Sequence, residues 1–220
     1  MKQLATISVT GADAFEFLQG QLTNDLKRLD TDAEILAAWC NPKGRVIWFG
    51  TLRAIENGYA LSAPAETAED IVRRLRIFRF RAKVEFVISD DGDTIDPAAL
   101  IQSAHPFIGA QQVEQFTPHM LNLDLLDAIS LGKGCYTGQE IVARTHYKGA
   151  TKRRTLRFAS EKPVSAGDKL TLNGREIGEV LNAAGTDLLA VIPSAKASLG
   201  LQVNGMSVTP EAMPYKIPAA

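Results

Sequence analysis

The segment Lys133–Glu140 concentrates the groups of this chain that could do chemistry. It reads Lys-Gly-Cys-Tyr-Thr-Gly-Gln-Glu, which places a cation, a thiol, a phenol and a carboxylate within eight residues. Gly134 and Gly138 bracket the thiol, and glycine tolerates the backbone conformations that a tight loop needs. The apolar pattern resuming at Ile141 predicts a loop that enters a helix near Gly138, with Glu140 in the first turn, where the helix dipole favours a carboxylate.

Cys135 is the candidate reactive group of this segment. Lys133 stands two positions away and a helix start is predicted nearby, and both lower the pKa of a thiol. The thiol could serve as a nucleophile, a redox-sensitive group or a transient ligand to an iron–sulfur cluster, and a structural cysteine is the alternative. Cys40 ends a predicted strand and is expected to be packed. Two cysteines and three histidines without ligand spacing predict no resident cluster and no metal site.

The elements before this segment predict an α+β lobe with an antiparallel sheet. Apolar residues three or four apart over 11–29, interrupted by Gly20, predict two short helices. A three-stranded meander is predicted over 34–62, with turns at Asn41-Pro42-Lys43-Gly44 and Asn57-Gly58. A helix over 66–80 and a strand over 84–88 follow. The polar stretch 89–111, rich in proline and glycine, predicts a linker or long loop with one helical turn near 98–102.

The region after residue 150 has a purely β pattern. Short strands are predicted at 154–159, 169–172, 176–182, 188–192 and 201–208, with turn signals such as Asn173-Gly174 between them. Strands of this length and spacing are typical of a small barrel or sandwich. We therefore expect two domains, 1–150 and 151–220, with the boundary near Gly149-Ala150.

Composition points to an ordinary soluble protein of the cytoplasm. Apolar residues make up 45% of the chain and charged residues 22%, and the net charge of −1 provides no overall attraction to nucleic acid or to membranes. No apolar run approaches the ~18 residues of a transmembrane helix. The first residues also lack the apolar region of a signal peptide. We expect a cytoplasmic protein without membrane association.

The segment Lys133–Glu140, together with Ile141-Val142-Ala143-Arg144, resembles the signature of YgfZ-type folate-binding proteins, relatives of the glycine-cleavage T-protein (aminomethyltransferase). Residues 17–25, 40–45 and 149–153 are similar to other segments of that family, in the same order. The resemblance implies a T-protein-like folate-binding α+β domain followed by a small β-barrel. Family members carry another α/β unit before the signature, where this chain has only 89–111, so it resembles a short form with a truncated middle.

The resemblance also implies a function. The chain would bind tetrahydrofolate or a derivative and assist iron–sulfur cluster assembly or repair, and tRNA modification, with Cys135 central. Its partners would be folate, iron–sulfur client or assembly proteins and, through weak contact, RNA. Glu140 is the candidate for the pterin edge, because a carboxylate meets adjacent N–H groups with two parallel hydrogen bonds; stabilisation of its own helix is the alternative. The other residues of the expected folate site are Lys133, Tyr136, Gly138, Gln139, Arg153 and Asn24.

Two basic groups bear on the choice of partner. Seven cations near the signature predict a place for the folate tail, an acidic partner or RNA phosphates, with a solvated face as the alternative; they are Lys133, Arg144, Lys148, Lys152, Arg153, Arg154 and Arg157. A second basic run over 73–83 is interleaved with Phe78 and Phe80. Such interleaving can indicate single-stranded nucleic acid, but helical spacing places Phe78 on a buried stripe and favours a solvated face.

Catalysis of the T-protein type is not expected. The T-protein carries an aspartate just after the turn of its first hairpin, whereas this chain reads Arg45-Val46-Ile47-Trp48-Phe49-Gly50. General acid–base chemistry needs a titratable group within hydrogen-bond reach. We therefore expect a binding protein more than a classical enzyme. A tetrahydrofolate-dependent aminomethyl or one-carbon transferase is the alternative, and an RNA-associated binding module is the third hypothesis.

Overall fold

The first part of the chain forms an antiparallel sheet with helices on one face. The computed structural model describes residues 1–90, 92–148 and 151–218, without the side chain of Lys148. The sheet has six strands in the order β2-β3-β4-β1-β5, with β6 also paired to β1. Its strands are β1 (Lys2–Thr10), β2 (Ile35–Cys40), β3 (Val46–Ile55), β4 (Gly58–Pro64), β5 (Glu85–Ser89) and β6 (Thr94–Ile95). The helices of the chain are α1 (Ala14–Gln19), α2 (Ala65–Phe78), α3 (Pro97–Gln102) and α4 (Gln139–Lys148).

The α+β class and the three-stranded meander are confirmed. The predicted turns join β2 to β3 and β3 to β4, and Gly44 and Asn57 both adopt positive φ there. The region 11–29 forms two short elements as predicted, α1 and a 3₁₀ turn at Leu26–Asp30. The central strand β1, however, is absent from the predicted elements. Its apolar side chains alternate with threonine and serine and pair with β4 and β5, which lie far along the chain.

Helices α1 and α2 cover one face of the sheet and form the first core. Leu18 and Leu75 from these helices pack with Ile7, Trp39 and Leu52 from the strands. The predicted helix over 66–80 ends two residues early, at Phe78. Phe80 has a φ of 43°, which no α-helix accommodates. Phe78 therefore stays with the core, where its ring meets that of Trp39, and Phe80 leaves it.

The opposite face of the sheet is covered at only one end. Near β2 and β3, Phe49 packs in a second core with Ile101 and Leu121 from the middle of the chain and Leu189 from the C-terminal region. Towards β4, β1 and β5 the same face carries polar residues. Ser62 of β4 lies opposite Thr6 of β1, and Ser8 is the next residue of β1 on this face. These side chains are half-buried. A polar surface on this part of the sheet suits a chain in which no further unit packs against it.

The middle segment, residues 89–90 and 92–132, is part of the packed structure, whereas the sequence predicts a linker or long loop over 89–111. The predicted helical turn near 98–102 is present as α3, whose N-cap Asp96 accepts a hydrogen bond from the Ala98 backbone N–H. Ile101 and Ile108 are almost fully buried in the second core. This stretch thus bridges the sheet and the C-terminal strands. The expected domain boundary at Gly149-Ala150 lies outside the described residues.

The C-terminal region is a closed antiparallel barrel. Its strands run in the order β10-β7-β12-β11-β8-β9. They are β7 (Arg153–Ser160), β8 (Lys169–Leu172), β9 (Arg175–Ala184), β10 (Asp187–Pro193), β11 (Gln202–Val203) and β12 (Met206–Glu211). The predicted barrel is confirmed, but the single strand predicted over 201–208 is wrong. Asn204 and Gly205, with φ of 49° and 76°, form a turn that divides it in two.

A buried ion pair fixes the barrel to the middle segment. The Arg154 guanidinium on β7 donates to both carboxylate oxygens of Asp124, at 2.6 and 2.9 Å, and to the His119 carbonyl at 3.1 Å. Beside it the Asn122 amide donates to the Thr155 carbonyl at 2.8 Å. Such bidentate pairs combine charge with fixed geometry. The barrel is therefore held in one orientation at the start of its first strand.

Candidate functional site

Lys133 anchors the signature loop, Lys133–Glu140, to the sheet and its helices. Its Nζ donates to the backbone carbonyls of Gln19, Leu22 and Asn24 at 2.7, 2.7 and 2.9 Å. The Tyr136 ring also lies beneath it, with its centroid 5.2 Å from Nζ. Burial lowers the pKa of Lys133 to about 8, against the opposing effect of the nearby Asp25 carboxylate. All three donors of this ammonium are thus engaged inside the protein.

The residues just before the loop are bound to the same part of the sheet. The Asn24 amide N–H₂ donates to the carbonyls of Leu36 and Asp127, both at 2.8 Å, and its Oδ1 accepts from the Asp25 backbone N–H at 2.9 Å. The neighbouring Thr23 hydroxyl donates to the Ala128 carbonyl at 2.7 Å. Asn24 is 1% exposed. This expected folate ligand therefore uses both ends of its amide to fix the approach to the signature loop.

The second half of the loop rests on the first hairpin and on α1. Thr137 donates from its backbone N–H to the Gly20 carbonyl and from its hydroxyl to Gln21 Oε1, at 3.2 and 3.1 Å. Gly138 has a φ of 83°, and a Cβ there would lie 2.6 Å from the Asn41 carbonyl oxygen. Gly44, across the contact, also has positive φ and would clash through a Cβ with Ile141. Gly138 is thus required by the close approach of the Asn41 backbone, and Gly44 by that of the Ile141 side chain.

The two cysteines have opposite environments. Cys40 is fully buried beneath Gly138, as predicted for a packed cysteine, and burial raises the pKa of its thiol to about 12. Cys135 is exposed, and both thiols are free. The Lys133 ammonium, expected to act on Cys135, is bound instead by three carbonyl groups. The loop therefore presents an accessible thiol on an immobilised backbone.

The transition from loop to helix matches the prediction. Helix α4 begins at Gln139 and carries Glu140 in its first turn. The Val142 backbone N–H donates to the Gly138 carbonyl at 3.3 Å and starts the helical hydrogen bonds. Glu140 is exposed, and its carboxylate has no hydrogen bond or salt bridge with the residues that the structure describes. It is thus available to a ligand, whereas Tyr136 is buried and Gln139 half-buried.

A polar cluster beside the hairpin escaped the sequence analysis. Asn41 accepts with Oδ1 from the backbone N–H groups of Lys43 and Arg45, at 2.9 Å each, and donates to Glu114 Oε1 at 2.8 Å. Arg74 donates to the other Glu114 oxygen at 3.0 Å. The Asn41 hydrogen bond, followed by that of Arg74, lowers the pKa of Glu114. Glu114 lies 73 positions from Asn41 and 40 from Arg74, and no local sequence signal joins them.

His119 was also missed and is unusual. It is 2% exposed, and neither ring nitrogen has a hydrogen-bond partner among the residues that the structure describes. Its ring centroid lies 5.9 Å from that of His146 on α4. Burial, together with the nearby Arg154 cation, lowers the pKa of His119, while Asp124 opposes this. The neutral imidazole thus lies between the barrel ion pair and the helix that follows the signature loop.

The cations expected to surround the loop do not form one surface. Lys133 and Arg154 are buried with internal partners, and Arg153 is half-buried with its guanidinium donating to the Val191 carbonyl at 3.2 Å. Arg157 similarly donates to the Ala212 carbonyl at 2.9 Å. Arg144 and Lys152 are exposed, and the Lys148 side chain lies outside the described residues. The accessible positive charge near α4 is smaller than the sequence indicates.

A cleft lies between α2, the middle segment and the barrel. Its volume is about 450 Å³, and Lys2, Glu66, Phe107, Gln112 and Asn182 are among its lining residues. None of the residues predicted to bind folate lines it. Within the described ranges, no group of three histidine, cysteine, aspartate or glutamate side chains is placed to hold a metal ion. No helix of the described chain is both long and apolar enough to cross a bilayer.

A helix-covered antiparallel sheet joined to a closed six-stranded barrel is the fold of the glycine-cleavage T-protein. The crystal structure of aminomethyltransferase T from Bartonella henselae superposes with a TM-score of 0.72 over 96% of this chain and 83% of that one. The sequence identity is 16%, so this similarity shows the fold. No protein-family model matches the chain.

Among curated proteins, the chain is similar to the tRNA-modifying protein YgfZ. Identity is 28% with that of Escherichia coli O45:K1, covering 85% of this chain and 78% of the relative. It is 27% with that of Serratia proteamaculans, covering 84% and 79%. An uncharacterized protein of Haemophilus influenzae is 28% identical, covering 85% and 84%. The chain is therefore similar in sequence to YgfZ proteins and similar in fold to the glycine-cleavage T-protein.

The comparison also bears on the expectation of a short form. The alignment with the Serratia protein runs over 262 positions, more than the 220 residues of this chain. That relative therefore carries segments without a counterpart here. The polar, partly uncovered sheet face beside β1 agrees with a short form of the fold.

Proposed function

We propose that this chain binds a reduced folate, tetrahydrofolate or a derivative, at the surface of the signature loop and α4. In this role it acts as an accessory protein in iron–sulfur cluster assembly or repair and in tRNA modification. Its likeness to proteins named tRNA-modifying YgfZ and its T-protein fold support this proposal. The observation that carries it is the construction of the loop, which is bound on both sides yet leaves Cys135 and Glu140 exposed.

The predicted site residues divide into two roles. Lys133, Asn24, Tyr136 and Gly138 are buried or in close contact with other backbone, so they position the loop. Glu140 lies exposed in the first turn of α4, where its carboxylate is free to accept two N–H groups of a pterin edge. Gln139 and the half-buried Arg153 remain candidates for contact at the rim. Because these contacts already fix the loop, less conformational entropy is lost when a ligand binds to it.

The thiol has its own part in the proposal. Cys135 would meet iron–sulfur clients as a transient ligand or redox-sensitive group, since it is the accessible thiol of the two. The residues of the first hairpin favour an accessory role for the chain over catalysis of group transfer. Strand β3 carries no carboxylate over Val46–Ile55, so the position used for acid–base work in the T-protein has no titratable acid here.

Calorimetric titration with tetrahydrofolate under reducing conditions tests the folate part of the proposal. We expect measurable binding by the full chain, and Glu140→Gln should weaken it about tenfold or more, because hydrogen bonds to a charged group contribute ~1.5–3 kcal/mol. Glu161→Gln, an exposed glutamate on the barrel, is the matched control and should bind like the wild type. Absence of binding at about 1 mM ligand, or equal weakening by both variants, would end this part of the proposal.

A complementation experiment tests the thiol. In a strain lacking its own YgfZ-like protein, the wild-type chain should restore iron–sulfur enzyme activities, and Cys135→Ala should not. The variant should still fold and bind folate, because the Cys135 side chain is exposed. Full restoration by Cys135→Ala would remove the thiol from the proposed function while leaving folate binding in place.

A further inference from the structure

The turn that follows α2 carries an unusual concentration of positive charge. Residues 73–83 contain six cations and no carboxylate, in a chain whose net charge is −1. Two of the six have partners, because Arg73 and Arg74 pair with Asp70 and Arg74 also with Glu114. The other four are exposed and form no salt bridge with any described residue. They are Arg76, Arg79, Arg81 and Lys83; together with Phe80 we term them the basic turn.

Phe80 stands at the tip of the basic turn with its ring in solvent. It is 86% exposed, and the neighbouring Ile77 is 64% exposed. The Ala82 backbone N–H donates to the Arg79 carbonyl at 2.7 Å, which closes a tight turn around Phe80 with its φ of 43°. A bulky residue with positive φ is strained, and such strain occurs at ligand contacts more often than elsewhere. A buried ring would explain this cost by packing, but this ring is 86% exposed.

The backbone beneath the turn is held in place. The Lys83 backbone N–H donates to an Asp13 carboxylate oxygen at 2.7 Å. Gly11 approaches so closely that a Cβ there would clash with the Lys83 carbonyl oxygen. The turn is therefore a fixed part of the surface, with its cations and one aromatic ring presented together.

We propose that the basic turn binds single-stranded RNA. Phe80 stacks on a base, and the surrounding cations contact the phosphates on either side. Base–aromatic stacking is tolerant of sequence, and arginine matches phosphate with paired N–H groups. A membrane surface suits the turn less well, because only Ile77 and Phe80 offer apolar area for insertion. The choice of RNA over DNA rests on the proposed role in tRNA modification, but folate binding does not enter this inference.

Fluorescence anisotropy with a labelled single-stranded oligo(U) RNA tests this inference on the full chain without folate. Binding should weaken as salt rises, with a slope of about 0.7 per phosphate contact. Replacement of both Arg79 and Arg81 by glutamine should lower that slope by about 1.4. The same replacement of Lys162 and Arg175, exposed cations of the barrel, should leave it unchanged. Oligo(dT) of equal length and tRNA serve as parallel probes.

Variants of Phe80 separate stacking from folding. Phe80→Leu should weaken oligo(U) binding about tenfold, whereas Phe80→Tyr keeps the ring and should bind within about twofold of wild type. Phe80→Gly relieves the backbone strain, so its melting temperature should equal or exceed that of wild type while RNA binding falls. Loss of binding only in variants that melt early would contradict a direct contact.

Four results would overturn the inference. One is no salt-dependent binding of oligo(U) at low salt, and another is equal binding by wild type and the Arg79/Arg81 variant. The third is a wild-type chain that binds phosphatidylserine vesicles but not RNA, with vesicle binding lost in Phe80→Leu. That result would assign the turn to a membrane. Preference for oligo(dT) over oligo(U) would likewise overturn the choice of RNA. Since none of these assays contains folate, they fail or succeed independently of the folate titration.

Discussion

Replacement of Lys133 by methionine tests how the signature loop is held. Methionine keeps the length of the side chain but leaves the carbonyls of Gln19, Leu22 and Asn24 without their shared donor. Three charge-assisted hydrogen bonds at ~1.5–3 kcal/mol each amount to about 6 kcal/mol. Against this, a pKa lowered from 10.5 to about 8 means that burial disfavours the ammonium by about 3 kcal/mol. We therefore expect Lys133→Met to be less stable by about 3 kcal/mol near neutral pH.

The same numbers predict how the difference depends on pH. Because the folded pKa of Lys133 is about 8 and the unfolded value 10.5, the unfolded chain binds more protons at this position between those values. The free energy of unfolding of wild type should therefore rise with pH relative to the variant. This contribution is fully present above 10.5 and is lost as the pH falls through 8. By about pH 9.5 the difference should have widened by about 2 kcal/mol.

Guanidinium unfolding measures both quantities. Trp39 and Trp48 lie in the first core, each 1% exposed, so their fluorescence reports on the part of the protein to which Lys133 binds. Lys43→Met, at an exposed position of the first hairpin, is the control and should stay within about 0.5 kcal/mol of wild type. The reasoning would be refuted if Lys133→Met had the same free energy of unfolding as wild type. It would also be refuted if the difference in free energy of unfolding between the two stayed constant between about pH 7 and 9.5.

Two further predictions concern the same loop. Gly138→Ala should lower the free energy of unfolding by about 3 kcal/mol, because a Cβ clashes with the Asn41 carbonyl and φ is positive; Gly134→Ala, with open space around its Cα, should cost less than about 1 kcal/mol in the same assay, and equal costs would contradict the contact. A disulfide reagent should label Cys135 quickly in the folded chain but Cys40 only after denaturation, since burial raises the pKa of the Cys40 thiol to about 12. Fast labelling of folded Cys135→Ser would show that Cys40 is accessible after all.

Local sequence signals predicted most of the strands and their turns. Asn57-Gly58 and Asn173-Gly174 mark hairpins that the structure contains, with positive φ at each asparagine. The same signal at Asn204-Gly205 was overlooked inside an apolar run, and it explains the wrong single strand there. Strand β1 also has a clear alternation of apolar and polar residues. Its central place could not be predicted, because its partners β4 and β5 are distant in sequence.

The candidate site was predictable only in part. The helix start at Gln139, the position of Glu140 and the burial of Cys40 follow from residue types and short spacings. The surroundings of Lys133 do not, because a lysine beside a glycine-rich loop ordinarily projects into solvent. Its three acceptors are backbone carbonyls near the end of α1, and no residue type in the sequence indicates that they accept a hydrogen bond from a lysine. Long-range backbone contacts of this kind leave no pattern in a single sequence.

The hydrogen bonds of Lys133 also have a consequence for the order in which the protein folds. Its three hydrogen bonds join residues 109 to 114 positions apart, and the Asn24 bond to Asp127 spans 103. Contacts between such distant residues form slowly, because a long loop must close before they bring any gain. During synthesis the sheet and the helices on it emerge first, and the three carbonyls gain this donor only after Lys133 has been synthesised. We therefore expect Cys135 to reach its final position late, after the sheet has folded.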